Sequence, residues 1–516
     1  MIPEWYAEHA RHDPYLHARR ISASQVFSWR RPAGRGTGVK LKTLQRYAGF
    51  VFSVAGARGA GIVLSSLTFP YLVRHLGVQS YGLWSYVIAV CGFLGLVSDP
   101  GLTTYVSQQV AARREQASDI IPDFLALRFL SSVVALAVLL LIVRLETRTD
   151  VRHLLCLYGI GLLLVSMLSS DPFLISLEMF HARSLLVLTQ QSIYALVIFV
   201  CIRTPGDIFW MPIAILGSSA LSGTAGWLLM WRKGFRMSTA LQPQAWKGII
   251  VPSAHYALAT LMSTTYHRAG HLLVRWFLGD YALGLYSAAV RFIDLLRGFV
   301  VMVLNVFMPS LALAARSDDG LRRLAQFALA VVALISIPLT VGLIGTAPLV
   351  VPWVLGAKYL EDVTLIKWLA PYLVTASAAS LFAGTFLYAL GRHRAYLIST
   401  MSGAIAGSLL YAILIPQLGL TGAALGMVLA EFAVALAAYL LLPDVLRGLW
   451  RSAAIAVALA AASLMLVAAH WVEVSVPRVS VVVPAAALTY FLSCAWFLRK
   501  WVVQQRKELL ARPEPS

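Results

Sequence analysis

The sequence predicts an all-α integral membrane protein with about fourteen transmembrane helices. Of its 516 residues, 59% are hydrophobic and only 13% are charged, whereas a soluble chain carries about 25% charged residues. Apolar runs of about 20 residues, enough to cross a bilayer, recur from one end of the chain to the other. The strand alternation of an outer-membrane barrel is absent, and a helical bundle is therefore the predicted class.

Charged residues and Gly/Pro turns separate the apolar runs and set the order of the predicted helices. The spans are 47–73, 81–101, 122–144, 152–171, 183–202, 208–231, 248–274, 282–309, 322–347, 363–390, 395–415, 419–442, 451–471 and 479–499.

A repeated hairpin indicates that the chain contains two similar halves. The first copy lies in the stretch Pro70 to Gly101, and the second runs from Leu273 to Ser287. The matching positions are Arg74 with Arg275, Gly77 with Gly279 and Gly82 with Gly284. Internal repeats of this kind are common among secondary transporters. We therefore expect two pseudo-symmetric six-helix lobes around a central cavity, followed by two C-terminal helices.

The basic loops set the domain boundaries and the orientation. The net charge of +19 comes from Lys and Arg in alternate connections, as positive-inside sorting predicts, so a nucleic-acid function is rejected. Both termini are predicted to be cytoplasmic. The predicted parts are a basic tail (1–46), the N-lobe (47–231), an inter-lobe loop (232–247), the C-lobe (248–442), two additional helices (443–499) and a tail (500–516).

No motif for an enzyme or a cofactor is found. The four cysteines are scattered, and their spacing fits neither a zinc site nor a disulfide framework. A P-loop, an HExxH motif and a nucleophile elbow are all absent. The sequence therefore predicts a protein that is not an enzyme and that binds no metal or cofactor.

Polar residues inside the predicted spans form the candidate site. Charges at membrane depth are costly and normally face a bundle interior or an aqueous cavity. We expect a cationic cavity lined by Arg58, Arg268, Arg291, Arg297, His267 and Asn305. Arginine suits an anionic headgroup because its planar fork binds phosphate oxygens bidentately. In the alternative interpretation, Arg291 and Asp294 form a local pair, and Arg74 and Arg275 extend to the interface.

Three carboxylates are candidates for ion coupling: Asp99, Asp294 and Glu431. Asp99 lies in a Ser-Asp-Pro-Gly turn, where capping of the next helix is the competing role. Glu431 lies well inside the twelfth predicted span and has no partner that the sequence identifies.

The first hairpin, FPYLVRHLGVQSYGLWSYVIAVCGFLGLVSDPGL, and its echo LVRWFLGDYALGLYS resemble the polysaccharide-transporter branch of the MOP superfamily. The stretch from Leu418 to Glu431 looks like a late helix of the same family. The resemblance implies a bacterial inner-membrane flippase for an undecaprenyl-diphosphate-linked oligosaccharide, working by alternating access, with proton or sodium coupling. It further implies that Arg58, Arg268, Arg291 and Arg297 bind diphosphate or acidic sugar.

The expected partners are the lipid-linked oligosaccharide, membrane lipids, and polysaccharide polymerase and export machinery. Three alternatives stay open at this point. Two belong to the same superfamily, namely a cation-coupled multidrug exporter and a lipid II flippase. The third is a membrane-embedded polysaccharide ligase or polymerase, which is less consistent with the short external loops.

Overall fold

The computed structural model describes residues 41–112, 117–177, 179–233, 241–315, 317–448, 453–476 and 478–510. Over these ranges the chain is helical with short connections and contains no strand, which confirms the predicted all-α class. In chain order the helices are α1 (Leu41–Ser98), α2 (Leu102–Ala112), α3 (Ala117–Leu145), α4 (Thr149–Leu168), α5 (Asp171–Ser176), α6 (Phe180–Cys201), α7 (Trp210–Arg232), α8 (Trp246–Ala314), α9 (Asp318–Val354), α10 (Asp362–Leu369), α11 (Tyr372–Ala379), α12 (His393–Leu418), α13 (Leu420–Leu440), α14 (Ala453–Ser475) and α15 (Val479–Leu510). A π-helical segment, Ser380–Leu387, continues α11.

Within the described ranges, eleven helical segments are long and apolar enough to cross a membrane. The protein is therefore a multi-pass membrane protein. The first of these segments, Gly59–Ser98, includes parts of two predicted spans. Helix α8, which carries the seventh and eighth predicted spans, is not among the eleven. The count of fourteen stays a prediction.

Helices α1 and α8 are each interrupted at one glycine. Gly77 has φ 71° and ψ 173°, and Gly279 has φ 86° and ψ −177°. A side chain at such a positive φ is strained, so glycine is required there. The two breaks are the turns of the repeated hairpin, and their equal conformations agree with the alignment of Gly77 and Gly279.

The two hairpins also contact each other in a reciprocal way. A Cβ atom added to Gly82 lies 2.0 Å from the carbonyl oxygen of Asp280, and one added to Gly284 lies 2.0 Å from that of Val78. Gly82 is the counterpart of Gly284, and Val78 occupies the position after Gly77 as Asp280 does after Gly279. The contact therefore has a local pseudo-two-fold relation, in which each copy supplies the same glycine and the same carbonyl.

The chain divides into two compact units. Unit 1 comprises the described residues within 41–64, 91–198 and 209–261. Its apolar core includes Leu102, Val106, Phe124, Phe173 and Met230. Here Asp123 is fully buried and accepts hydrogen bonds of 2.9 Å from the Gln242 amide and from Nε1 of Trp246. These bonds fasten the start of α8 to α3.

Unit 2 comprises residues 65–90, 199–208 and 262–516. One apolar cluster packs α8, α9, the π-helical segment and α13 together through Val300, Ala325, Leu381 and Val434. A second cluster packs α14 and α15 on α9. A group of polar residues that includes Asp294, Tyr372 and Glu431 lies inside unit 2, between α8, α11 and α13.

Candidate functional site

Asp294 is the centre of a polar group in unit 2. Its Oδ1 atom accepts a hydrogen bond of 3.2 Å from Nε of Arg297, one helical turn further along α8. The same oxygen accepts a hydrogen bond of 3.1 Å from the hydroxyl of Tyr372 on α11. The Tyr372 side chain is fully buried, and the Arg297 guanidinium carbon lies 5.7 Å from its ring centroid. Two neighbours therefore fix the Asp294 carboxylate, and the carboxylate orients Arg297.

Glu431 faces this group from α13. Its side chain is only 3% exposed, and its Oε1 atom lies 3.9 Å from Nδ1 of His267. No described residue makes a hydrogen bond to Oε1. The His267 ring stacks on Tyr266, with ring centroids 4.1 Å apart. Glu431 also lies within electrostatic range of Arg297 and Asp294, and it therefore belongs to the same group.

Arg268 completes the arrangement. One of its terminal nitrogens, Nη1, donates a hydrogen bond of 2.9 Å to the carbonyl oxygen of Ile88 in the first hairpin. The charges of Arg268 and Arg297 both act on His267. We call the set His267, Arg268, Asp294, Arg297, Tyr372 and Glu431 the polar cluster. It presents two permanent positive charges, one imidazole and two carboxyl groups.

The cluster has the chemistry of a charged-ligand site. Arg297 and His267 are partly exposed, at 23% and 32% of their side-chain areas, whereas Glu431 and Tyr372 are buried behind them. Guanidinium groups bind phosphate oxygens through paired N–H donors. A buried carboxyl group without a hydrogen-bonded partner is suited to taking up a proton or another cation. One place thus combines anion-binding and cation-binding groups.

The comparisons with known proteins decide the family. A family model described as "Polysaccharide biosynthesis protein" matches residues 50–314, which is just over half of the chain. The chain belongs to this family. No curated protein sequence matches this polysaccharide biosynthesis protein.

Solved structures show the fold. The lipid II flippase MurJ, in an inward closed conformation, matches with a TM-score of 0.71 and 16% identity, over 88% of this chain and 100% of that one. An inward-facing MATE multidrug resistance transporter of the MOP superfamily matches with a TM-score of 0.59 and 16% identity, over 78% and 99%. A MOP superfamily transporter from Pyrococcus furiosus matches with a TM-score of 0.55 and 16% identity, over 79% and 96%. At this identity the matches show that the fold is shared with transporters of the MOP superfamily, and the family model confirms the predicted polysaccharide family.

Four other residues of this polysaccharide biosynthesis protein were predicted to belong to the site. They are not part of the polar cluster, or their side chains are not described. Arg291 and Asn305 are on α8, and both are exposed. The side chain of Arg58 lies outside the described residues. Asp99 lies in unit 1, where its carboxylate accepts hydrogen bonds from the amide and the hydroxyl of Thr103. The roles assigned to these four residues stay predictions.

Asp99 has a partner that the sequence analysis missed. Nη2 of Arg128 on α3 lies 3.6 Å from Oδ2 of Asp99. Arg128 is only 7% exposed, and its guanidinium carbon lies 5.4 Å from the Phe124 ring centroid. The signal was available, because Arg128 interrupts the otherwise apolar middle of the third predicted span. Tyr372 was also missed, since a tyrosine in an apolar run is usually packing or an interfacial anchor.

Proposed function

We propose that this protein is a flippase that moves an undecaprenyl-diphosphate-linked oligosaccharide repeat unit across the bacterial inner membrane, for exopolysaccharide, capsule or O-antigen assembly. Membership of the polysaccharide biosynthesis family supports the substrate class, and the MOP-superfamily fold supports transport across the membrane. The observation that carries the proposal is the pair Arg268 and Arg297 beside His267 in the polar cluster. A diphosphate is the part of this substrate that such a cationic group recognises.

In this proposal the diphosphate binds Arg268 and Arg297, and the oligosaccharide occupies the predicted cavity. Arg58, Arg291 and Asn305 would line the rest of the path. Alternating access moves the headgroup, while the polyprenyl chain stays in the lipid. Both termini face the cytoplasm, and the substrate is loaded from the cytoplasmic leaflet. A polymerase and export machinery then use the flipped unit.

We further propose that transport is coupled to a proton or sodium gradient through Glu431 and Asp294, with Asp99 as a third candidate. The supporting observation is the burial of Glu431 beside a partly exposed histidine. An ion that neutralises Glu431 changes the local balance between carboxylates and arginines. Such a change gives the ion different affinities in two conformations, as coupling requires.

Lipid II transport is the second candidate, because MurJ matches over 88% of this chain. Both substrates carry a diphosphate on a polyprenyl chain, and the polar cluster fits either. Multidrug export is less consistent with the cluster, since two arginines repel a cationic drug. The proposal therefore rests on the diphosphate, and the sugar has to be identified by experiment.

A depletion strain tests this function. Surface polysaccharide and the leaflet location of the lipid-linked oligosaccharide are followed together as the protein disappears. We expect loss of surface polymer, with the lipid-linked unit trapped facing the cytoplasm. If the unit still reaches the outer leaflet but is not polymerised or ligated, the protein acts later. If only drug sensitivity rises, or only lipid II accumulates inside, the corresponding alternative replaces the proposal.

A further inference from the structure

Asp362, the first residue of α10, is a buried acid that the polar cluster does not use. Its exposure is 0%, and no described residue makes a hydrogen bond to either carboxylate oxygen. An ionised carboxylate without a partner is very costly in an apolar interior, whereas the neutral acid costs much less. This arrangement therefore suits the neutral acid better than the carboxylate.

Asp362 follows a segment, residues 353–361, that comprises the end of α9 and the connection to α10, and this segment is bonded to the first hairpin. Arg74 donates hydrogen bonds to the carbonyl oxygens of Trp353 and Val354, the latter at 3.2 Å. The hydroxyl of Tyr359 lies 3.5 Å from the carbonyl oxygen of Val73. These bonds join the outer end of the first hairpin to the segment that leads into α10.

The same connection also contacts the second hairpin. The hydroxyl of Tyr281 lies 3.4 Å from Oε1 of Glu361. Because the two hairpins already interlock at Gly82 and Gly284, residues 65–90, 262–290 and 353–362 form one three-part junction. We call it the outer junction, and Asp362 is its fully buried acid.

The charged and titratable groups around Asp362 are few. Glu361 acts on it electrostatically and opposes a second negative charge. Tyr359 interacts with Asp362 and also with Tyr81 and Tyr281, one from each hairpin. Lys358 points toward the first hairpin, with Nζ 3.9 Å from where a Gly77 Cβ would lie. No described residue of α9 or α13, which also pack on α10, acts as a charge on Asp362.

We propose that Asp362 is a proton-binding site that closes the outer junction. The Asp362 carboxylate takes one proton from the external medium and becomes a neutral carboxyl group, which the closed junction accommodates. Release of that proton leaves a bare carboxylate, which the closed junction excludes, and the hairpins separate. By linkage, closure favours proton uptake to the same degree that protonation favours closure. The inference rests on the orientation stated under the proposed function. It identifies Asp362 as the residue whose protonation returns the outer junction to its closed state.

Thiol accessibility tests the proposal in the full chain. Cys91, Cys156, Cys201 and Cys494 are first replaced by Ser or Ala. Val78→Cys places a reporter at a buried position of the outer junction, and Gln79→Cys places one at an exposed neighbour. The rate at which a membrane-impermeant maleimide modifies each thiol is measured from outside the cell. Dividing the modification rate of Val78→Cys by that of Gln79→Cys removes the intrinsic effect of pH on thiol reactivity. We call this quotient the ratio.

We expect the ratio to rise between about pH 6 and about pH 8, by up to about tenfold per pH unit, the limit for one proton. Asp362→Asn mimics the neutral acid, and its ratio should stay low at every pH. Asp362→Leu places an apolar side chain of similar size there. It provides a second test if the Asn variant folds poorly, and its ratio should also stay low at every pH. Glu473→Gln, at the end of α14 and outside the outer junction, is the matched control and should keep the rise.

A flat ratio in the chain that keeps Asp362, or a rise that persists in Asp362→Asn, would overturn the proposal. So would a ratio that follows sodium at constant pH. The readout needs no lipid-linked substrate, and it is therefore independent of the flipping assay. A pH-dependent junction in a protein that moves no lipid-linked oligosaccharide would contradict the proposed function and leave this inference standing.

Discussion

Tyr372 is hydrogen-bonded to Asp294 at 3.1 Å, through the same carboxylate oxygen that accepts from Arg297. The tyrosine approaches from α11 and is fully buried, whereas the arginine is partly exposed. A rigid group thus holds the acid, and the acid holds the arginine proposed to bind the diphosphate. Tyr372 is in this sense a positioning residue for Arg297, and the arrangement predicts its effect on transport.

Replacing Tyr372 by Phe should lower transport by about tenfold to about a hundredfold, as expected from losing a hydrogen bond of about 1.5–3 kcal/mol to a charged group. The physical reason is that Asp294 loses one of its two donors and orients Arg297 less well. The measurement is the flipping rate at matched protein levels.

Tyr490→Phe is the control for that substitution. In the unsubstituted protein, the Tyr490 hydroxyl donates a hydrogen bond of 2.7 Å to the carbonyl oxygen of Leu334. This bond lies where α15 packs on α9, away from the polar cluster. Tyr490→Phe should leave the flipping rate unchanged at matched protein levels. Equal losses in the two variants would mean that Tyr372 acts through general packing and not through Arg297.

Replacing Glu431 by Gln should uncouple transport from the ion gradient. The amide keeps the size of the side chain but cannot ionise beside His267, 3.9 Å away. We expect the unsubstituted protein to slow when the proton or sodium gradient collapses, and the variant to lose this sensitivity. Glu473→Gln, on α14, provides a matched control and should remain sensitive. Coupling through Glu431 is wrong if Glu431→Gln responds to gradient collapse as the unsubstituted protein does.

Replacing Gly284 by Ala should destabilise the hairpin contact. The new Cβ atom would lie 2.0 Å from the Val78 carbonyl oxygen, which is backbone and cannot rotate away. Overpacking typically costs about 1–3 kcal/mol, so the apparent melting temperature in detergent should fall. Gly95→Ala is the control, because nothing lies within 4 Å of its added Cβ. A Gly284→Ala protein that melts like the Gly95→Ala protein would contradict the close contact.

The pair of partly buried Asp99 and buried Arg128 should be sensitive to the loss of one partner. Breaking such a pair costs about 3–5 kcal/mol, whereas replacing both partners with apolar or neutral groups is often neutral. Arg128→Met should therefore lower the yield of folded protein, and Asp99→Asn combined with Arg128→Met should recover much of it. The measurement is monodisperse protein by size-exclusion chromatography. Normal, gradient-dependent transport in the double variant would exclude ion coupling through Asp99.

The fold was largely predictable because its strongest signals are local. The glycine turn of each hairpin can be recognised in the sequence, and Gly77 and Gly279 adopt similar backbone conformations. Span counting was harder, because α8 carries charged residues such as Arg268, Asp294 and Arg297 within its length, and it is not among the eleven apolar segments.

The candidate site was predictable only in part. Helical spacing places Asp294 near both Arg291 and Arg297, since residues three positions away on either side are equally close on a helix. A residue from another helix, Tyr372, lies over Arg297, and the sequence contains no signal for that contact. The approach of Glu431 to His267 is likewise a tertiary contact between helices far apart in the chain.

The most direct test of the central claim is flipping of an undecaprenyl-diphosphate-linked oligosaccharide by the purified protein in liposomes. The account predicts that the protein exposes the substrate to an enzyme or reagent added on the opposite side. Arg297→Ala and Arg268→Ala should each slow this by about tenfold or more, since each removes a charge-assisted contact worth about 1.5–3 kcal/mol. Unchanged flipping in both arginine variants, at equal protein levels, would contradict diphosphate binding by the polar cluster. Absence of flipping by the unsubstituted protein, in liposomes where a known flippase is active, would contradict the proposed function itself.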